Sequence, residues 1–301
     1  MDGILAVHKP SGMTSHDVVF KLRKILHMKK IGHAGTLDPT VDGVLPVAIG
    51  KATKTIEFLQ AARKVYTGEV TLGFATETED LEGEIIETKR VETPLTQDEI
   101  IAGMQKLTGE IIQIPPMYSA VKVNGRRLYQ YARAGETVER PKRTAIIYRF
   151  ELTSTPEFDA SAGTQKFKFL AEVSKGTYIR TLAFELGQQL GYPATMTQLT
   201  RTEAGGFDLS HAHTLEEIEE RGPEGLGDWL RPFDEAFGDL PRYELRPDQW
   251  AWVKDGKGLP ASEVPLTDPM IIYTYLGEVK TIVEWNAEKQ LYRPYRTFAI
   301  N

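Results

Sequence analysis

The sequence predicts an α+β fold: a mixed, mostly antiparallel central sheet with flanking helices and loops, followed by a small β-rich C-terminal domain. Strand and helix patterns alternate over residues 1–240 without the regular strand–helix–strand spacing that a parallel sheet requires. Residues 243–301 contain one short helical pattern and then three strand patterns. We therefore expect one large domain at residues 1–240 and a second domain at residues 243–301.

The predicted elements follow from apolar periodicity, capping boxes and turn residues. In the first half they are a strand at 3–7, a helix at 15–27, a loop at 31–43, a helix at 52–62, strands at 65–72 and 84–88, a helix opened by Thr96 and Glu99, a strand at 117–123, a turn at Asn124-Gly125 and a helix at 128–134. In the second half they are strands at 146–153 and 166–173, a helix at 177–190 closed by Gly191, a strand at 195–202, a helix opened by Thr214 and Glu217, a helix at 247–253, and strands at 271–276, 279–285 and 291–298.

Composition excludes several classes of protein. The chain has 301 residues, a net charge of −6 and no cysteine, which excludes disulfides, thiolate nucleophiles and cysteine-ligated metals. No apolar run approaches the ~20 residues that span a bilayer. Residues 1–20 lack the apolar core of a signal peptide. We expect a cytoplasmic protein without membrane contact.

Charge is segregated along the chain. Residues 1–66 carry 10 Lys and Arg against 5 Asp and Glu, and residues 111–202 carry 13 against 7. Residues 67–110 and 203–301 are acidic, with 3 against 11 and 10 against 19. If the two basic blocks meet in the fold, they form a face that binds a polyanion despite the acidic total. Scattered surface charge is the alternative.

In residues 32–43, here called the Asp38 loop, glycine and proline residues surround Asp38. Gly35 permits a close backbone approach, and Pro39 drives Asp38 towards an extended conformation. A rigid loop that holds a carboxylate in place suits a nucleophile or a general base. An Asp-Pro turn with a capping carboxylate is the structural alternative.

Other chemistry has weaker support in the sequence. Asp42 and Asp38 together would suit a glycosidase, but the separation of two carboxylates on a loop cannot be inferred. The glycines match neither of the common nucleotide-binding patterns. His211 and His213 lack an obvious third metal ligand. We expect no cofactor and no metal.

Two further segments carry functional patterns. Residues 117–133 interleave tyrosines with lysine and arginine, as RNA-binding surfaces do. Arg180 falls in the first turn of the helix predicted at 177–190, where the helix dipole disfavours a cation. A carboxylate partner would offset this cost, and Asp38 is a candidate.

Five ordered motifs resemble the TruB family of bacterial tRNA pseudouridine synthases, which modify uridine 55 in the T-loop. They are residues 3–15 (GILAVHKPSGMTS), 32–39 (GHAGTLDP), 64–66 (KVY), 115–122 (PPMYSAVK) and 175–180 (KGTYIR). The resemblance runs from about residue 3 to residue 207 and continues more weakly to the C-terminus. It implies a pseudouridine synthase fold, an RNA-binding cleft, a PUA-like domain at 243–301 and an isomerase without a cofactor. His8, Val41 and Asp42 depart from the family pattern.

The resemblance implies roles for the matched residues. Asp38 is the expected catalytic carboxylate, which attacks C1′ or removes the 2′ proton. Arg180 is expected to pair with it, and Tyr66 to stack on the uracil. Lys9 is expected to brace the Asp38 loop. Three further residues are expected to line the uracil pocket or to fill the space beside the flipped nucleotides: Tyr178, Leu199 and His33.

The expected partner is the T-arm of tRNA, whose target base must leave the folded loop to react. Five basic residues are candidate phosphate contacts: Lys122, Arg126, Arg127, Lys142 and Arg143. We expect a monomer that requires no protein partner. The alternative is an RNA-binding or tRNA-folding module without turnover, but the presence of Asp38, Tyr66 and Arg180 argues against it.

Overall fold

The computed structural model describes residues 1–298. Fourteen strands precede residue 210: β1 (Gly3–Lys9), β2 (Ile31–His33), β3 (Asp42–Ile49), β4 (Lys64–Leu72), β5 (Phe74–Thr76), β6 (Ile85–Thr88), β7 (Gly109–Gln113), β8 (Lys122–Val123), β9 (Arg126–Arg127), β10 (Arg143–Leu152), β11 (Glu157–Asp159), β12 (Thr164–Val173), β13 (Ala194–Ala204) and β14 (Phe207–Asp208). The later strands are β15 (Arg242–Glu244), β16 (Leu259–Pro260), β17 (Met270–Tyr275), β18 (Glu278–Asn286) and β19 (Leu291–Thr297). The α-helices are α1 (Ser15–Ile25), α2 (Ile56–Ala61), α3 (Gln97–Lys106), α4 (Leu128–Arg133), α5 (Ile179–Leu190), α6 (Leu215–Gly225) and α7 (Pro247–Val253).

The larger sheet has the strand order β1-β3-β13-β4-β12-β10-β7, with β2, β11 and β14 paired at its sides. Its neighbours along this order are antiparallel except for β3 and β13, which run parallel. A second sheet, β15-β17-β18-β19-β16, is formed within residues 242–297 and accompanies helix α7. The predicted α+β architecture, with a mixed sheet and a β-rich C-terminal part, is confirmed.

Two apolar clusters hold helices against the larger sheet. Helices α3 and α5 pack on it through a cluster that includes Met104, Leu186 and Phe169. Helices α1 and α6 pack on β1 and β3 through a cluster that includes Leu22 and Leu45. Each fully buried side chain of this size contributes about 1.5–3 kcal/mol. The clusters therefore fix the strands whose ends carry the functional loops.

Helix boundaries agree with the capping signals. Thr96 and Thr214 begin α3 and α6 with the predicted capping boxes, and Thr14 begins α1 in the same way. Gly191 closes α5 in the left-handed conformation, as predicted. None of the helices within residues 1–298 is long and apolar enough to cross a bilayer.

The strand predicted at 117–123 is wrong, because only Lys122–Val123 is extended and paired. The carbonyls of Ser119 and Val121 instead accept the amides of Tyr129 and Leu128 at the start of α4. The predicted turn at Asn124-Gly125 does join β8 to β9. Residues 114–142 thus form an irregular segment between β7 and β10, here called the 114–142 excursion.

Two other boundaries differ from the prediction. The loop at 31–43 has strands at both ends, because β2 pairs with β3 and β3 begins at Asp42. The sequence pattern does not identify β3, which contains Pro46, a residue depleted from strands. The helix predicted at 52–62 is a 3₁₀ turn (Gly50–Thr55) followed by the short helix α2.

Gly43 marks the place where β3 meets β13. Its φ is +118°, and a Cβ added there would lie 2.2 Å from the Arg201 carbonyl oxygen. We therefore expect Gly43→Ala to lower the free energy of unfolding by about 2–4 kcal/mol, measured by denaturant titration. Gly12→Ala is the control for backbone strain alone, since Gly12 has φ +85° and nothing within 4 Å. It should cost about 1–2 kcal/mol, and equal costs for the two variants would contradict the predicted clash.

Candidate active site

A cleft of about 340 Å³ opens between the Asp38 loop and the start of α5. Its floor comes from β4 and β13, where Tyr66 pairs with Arg201 and Gly68 pairs with Leu199. Residues directly opposite in antiparallel strands share a face, so Tyr66, Leu199 and Arg201 point into the same space. Lys64 lies two residues before Tyr66 and lines the cleft as well.

Asp38 and Arg180 form an ion pair in this cleft. The Arg180 Nη2 atom lies 3.0 Å from Asp38 Oδ2, and the Arg180 side chain is 7% exposed against 42% for Asp38. Arg180 also donates to the Thr78 carbonyl at 2.9 Å and to the Tyr118 carbonyl at 3.1 Å. The guanidinium is therefore fixed by several acceptors and presents one edge to an accessible carboxylate.

A second carboxylate lies against the same guanidinium. Asp80 Oδ2 is 3.4 Å from Arg180 Nη1, and both side chains are 7% exposed. Asp80 lies in the turn between β5 and β6, where its Oδ1 accepts from the Thr78 hydroxyl and the Glu82 amide. Its neighbour Glu79 has a left-handed backbone (φ +64°). Arg180 is thus held between a buried carboxylate and an exposed one.

Helix α5 is anchored at its first turn. The Gln113 side chain accepts the amide of Tyr178 at 3.0 Å and donates to the Tyr178 carbonyl at 3.2 Å. The Thr181 hydroxyl donates to Glu79 at 2.7 Å, and burial raises the pKa of Glu79. These contacts flank Arg180 on both sides in sequence, so they fix where its side chain leaves the helix.

The Asp38 loop is held by buried cations and hydroxyls. The Lys9 ammonium donates to the carbonyls of Pro10, Met13 and Pro39, and burial lowers the pKa of this lysine. Lys9 therefore braces the loop, as expected. The Ser15 hydroxyl oxygen accepts the Leu37 amide at 2.9 Å.

Arg201 also holds the Asp38 loop, through hydrogen bonds to backbone carbonyls. It is 1% exposed and donates to the carbonyls of Val44 at 2.8 Å and Gly35 at 3.1 Å. Burial lowers the pKa of Lys64, and the nearby cations Arg201 and Lys175 lower it further. Together they bring this pKa to about 8. The two basic blocks of the sequence therefore meet in this cleft.

Proteins of similar sequence match this chain over its full length. Residues 23–179 match the model of the TruB family pseudouridylate synthase N-terminal domain, and residues 180–237 match the tRNA pseudouridylate synthase B C-terminal domain. The protein of Levilactobacillus brevis called tRNA pseudouridine synthase B is 54% identical over 303 residues, covering 100% of both chains. Its namesake in Latilactobacillus sakei is 50% identical, covering 100% of this chain and 99% of that one. The chain belongs to the TruB family of pseudouridylate synthases.

Solved structures show the same fold for this TruB family member. A Cbf5–Nop10–Gar1 complex contains a chain that matches with a TM-score of 0.71 at 27% identity, covering 99% of this chain and 85% of that one. An H/ACA RNP bound to a substrate RNA containing 2′-deoxyuridine matches with a TM-score of 0.69 at 26% identity, again covering 99% and 85%. The pseudouridine synthase fold expected from the resemblance is confirmed.

The structure brings most of the sequence-derived site residues together. Asp38, Tyr66, Tyr178, Arg180 and Leu199 all line the cleft. Among the residues expected in or beside the uracil pocket, His33, the last residue of β2, does not line the cleft. Its buried Nδ1 atom has no hydrogen-bond partner among residues 1–298, its ring lies 6.3 Å from that of His16, and burial lowers its pKa.

The five candidate phosphate contacts are exposed and lie in the 114–142 excursion or at the start of β10, outside the cleft lining. Arg126 already pairs with Glu136 at 2.8 Å and lies 4.3 Å from the Tyr131 ring. Arg127 lies 6.0 Å from the Tyr129 ring. Cations and aromatic rings therefore lie side by side in this segment, with the Tyr131 ring itself 8% exposed, and the contact of these cations with phosphates stays a prediction.

Two departures from the TruB family pattern contact each other. His8 Nε2 lies 3.7 Å from Asp42 Oδ2, and the other Asp42 oxygen accepts from the Thr200 hydroxyl at 2.6 Å. Asp42 is therefore engaged at the start of β3 and does not line the cleft.

Sequence reasoning missed Lys64, Asp80 and Arg201. Lys64 carried a usable signal, since its two-residue spacing from Tyr66 places both on one face of a strand. Arg201 has the same spacing from Leu199. Asp80 carried no such signal in the sequence, because one carboxylate in an acidic turn cannot be told from its neighbours without the fold.

Within residues 1–298 no group of three or more side chains is arranged to hold a metal ion.

Replacing Asp80 by Asn keeps its shape and removes the buried negative charge facing Arg180. We expect pseudouridine formation under single-turnover conditions to fall about 10- to 100-fold, with RNA affinity changed less than about threefold. Glu82→Gln, in the same turn, is the matched control and should react as the unsubstituted protein does. An unaffected rate for Asp80→Asn would contradict the role of this carboxylate in holding Arg180.

Glu185 on α5 has a buried oxygen, Oε2, with no hydrogen-bond partner in the described part of the chain, and burial raises the pKa of this carboxyl to about 7. Because the unfolded carboxyl ionises near 4.3, the folded state loses stability as the pH rises from about 4 to 7. We expect Glu185→Gln to be more stable than the unsubstituted protein at pH 8 by about 1–2 kcal/mol, discounted because the group is partly solvated. The difference should vanish near pH 4. Denaturant titrations at both pH values check this, and a difference independent of pH would refute it.

Proposed function

We propose that this chain converts uridine 55 in the T-loop of tRNA into pseudouridine. The Asp38–Arg180 ion pair at 3.0 Å, in a cleft shared with Tyr66, is the observation that carries the proposal. Membership of the TruB family supports the reaction class, and the name of the relatives supports tRNA as the substrate. The position within tRNA comes from the motif resemblance.

The reaction is an isomerisation of the nucleoside. The N1–C1′ glycosidic bond breaks, the uracil turns within the cleft, and C5 joins C1′. The hydrogen on C5 leaves as a proton and N1 takes one up, so the composition and oxidation state are unchanged. Asp38 either attacks C1′ or removes the 2′ proton to give a glycal. Both routes need its carboxylate held beside the ribose, which Arg180 does.

The target base must leave the folded T-loop, at a cost of a few kcal/mol. In this proposal Tyr66 stacks on the extruded uracil and assists proton transfer. Tyr178 and Leu199 line the same space. His33 lies near the start of the Asp38 loop, and we assign it the space that the flipped nucleotide vacates.

The proposal divides the chain into a catalytic part and parts that bind RNA. Residues 1–240 form the catalytic domain, and residues 243–301 form a PUA-like RNA-binding domain. Phosphate contacts are made by Lys122, Arg126, Arg127, Lys142 and Arg143. The enzyme acts as a cytoplasmic monomer, without a protein partner.

A glycosidase that uses Asp38 with Asp42 is disfavoured by the geometry. Asp42 is bound to Thr200 and lies near His8, away from the cleft lining. Two carboxylates that flank a glycosidic bond must face the same substrate. These two do not.

The test uses unmodified tRNA carrying tritium at uracil C5, with no added cofactor. We expect the unsubstituted protein to release one equivalent of tritium from uridine 55. Asp38→Ala should lose at least about 10³-fold in rate while still binding tRNA. Asp42→Ala, a matched carboxylate outside the cleft, should keep the activity within about tenfold.

Each other outcome has a definite meaning. Binding without release by the unsubstituted protein would favour the RNA-binding or tRNA-folding module. Release from another position would refute the assignment of uridine 55. Equal losses for Asp38→Ala and Asp42→Ala would restore the two-carboxylate hypothesis.

A further inference from the structure

Helix α2 lies between the catalytic cleft and the last strand of the C-terminal sheet. It has six residues, Ile56–Ala61, and a helix this short is not stable without tertiary contacts. Two sets of contacts therefore stabilise α2. One set reaches β19, and the other reaches the cleft.

The contacts with β19 are polar and directional. Glu57 accepts from the Arg296 guanidinium, with the Nε atom at 3.0 Å, and from the Tyr295 hydroxyl at 2.8 Å. Partial burial acts to raise the pKa of Glu57, but the bonds from Tyr295 and Arg296 outweigh it and the net pKa is lowered. Lys54, in the preceding 3₁₀ turn, donates to the Thr297 carbonyl at 2.5 Å.

An aromatic contact reinforces this attachment. The Phe58 ring meets Phe237 edge-on at 5.2 Å and Tyr295 at 6.5 Å. Phe237 also packs on Phe298, directly after β19. Helix α2 is therefore attached to the C-terminal sheet by an ion pair and by a ring cluster.

The other end of α2 holds Lys64. The Lys64 ammonium donates to the carbonyls of Gln60 at 2.5 Å and Ala62 at 2.6 Å. Gln60 and Lys64 both line the cleft, and Lys64 shares the face of β4 that carries Tyr66. A shift of the last turn of α2 would therefore move the ammonium of Lys64 relative to Tyr66.

We propose that strand β19 of the C-terminal sheet positions Lys64 in the catalytic cleft by clamping helix α2 through Arg296 and Glu57. Lys64 is thereby a cation fixed beside the position of the target nucleotide, where a polynucleotide brings its phosphate. The C-terminal domain acts on turnover in this way, besides any part in docking RNA. The inference rests on the proposed function for its catalytic consequence, but its structural part does not.

The test compares two arginines of β19. Arg296→Met breaks the clamp on Glu57 and keeps the aliphatic stem. Arg293→Met is the matched control, because Arg293 pairs with Glu284 within the C-terminal sheet, at 2.8 Å. With saturating tRNA, we expect Arg296→Met to slow single-turnover tritium release about 3- to 10-fold, with tRNA affinity within about twofold. Arg293→Met should leave the rate unchanged.

A second measurement needs no RNA and no activity. Acylation of Lys64 by an N-hydroxysuccinimide ester at pH 8, followed by mass spectrometry, reports how firmly its ammonium is held. We expect Arg296→Met to accelerate labelling of Lys64 at least about threefold, and Arg293→Met to leave it unchanged. The charge reversal Glu57→Arg with Arg296→Glu should restore both the rate and the protection of Lys64.

Three results would overturn the proposal. They are an effect of Arg296→Met on affinity alone, no effect of Arg296→Met on labelling, or equal effects of the two arginine variants. If the unsubstituted protein releases no tritium from tRNA, the proposed function fails. The labelling comparison would still decide whether β19 positions Lys64.

Discussion

The structure of the cleft depends on the contacts that the buried guanidinium of Arg180 makes. It contacts the Asp38 loop through Asp38, the turn after β5 through Asp80 and the carbonyl of Thr78, and the 114–142 excursion through the carbonyl of Tyr118. A buried cation without these acceptors would cost several kcal/mol. Three segments that are distant in sequence are therefore bound to one side chain, and their positions relative to Asp38 are set together.

The remaining cations of the site act on backbone carbonyls rather than on carboxylates. Lys9 and Arg201 hold the Asp38 loop from two sides, and Lys64 holds the last turn of α2. Each bond to a charged donor is stronger than a neutral one. Asp42 and Asp38 lie near Lys9, but Lys64 and Arg201 line the cleft and are held through carbonyls. Their charges therefore favour a polyanion in the cleft while its loops stay fixed.

The sequence predicts the elements whose signals are local. Strand β12 alternates clearly, β4 and β13 lie where strands are predicted, and the capping boxes at Thr96 and Thr214 place two helices. The helix dipole at Arg180 even points to a carboxylate partner. The irregular backbone at Tyr118 is not predictable in this way, because its carbonyl is used by a side chain distant in sequence. Strand β3 is missed for a different reason: Pro46 masks a run that is buried and paired on both sides.

The acidic total charge of the protein does not oppose binding of a polyanion, because some acids of the block at residues 67–110 are buried and engaged inside the fold. Asp80 faces Arg180, and Glu79 is bound to Thr181 with its pKa raised by burial. Glu69 is buried as well, where it accepts from the Thr197 hydroxyl at 2.7 Å. The other acids of this block are exposed on the hairpin of β5 and β6 or elsewhere on the surface, where charges beyond about 8–10 Å are screened at physiological salt. The field at the cleft is instead set by nearby Lys64, Lys175 and Arg201. A net charge counted over a sequence therefore predicts a partner only after the fold shows which charges are paired.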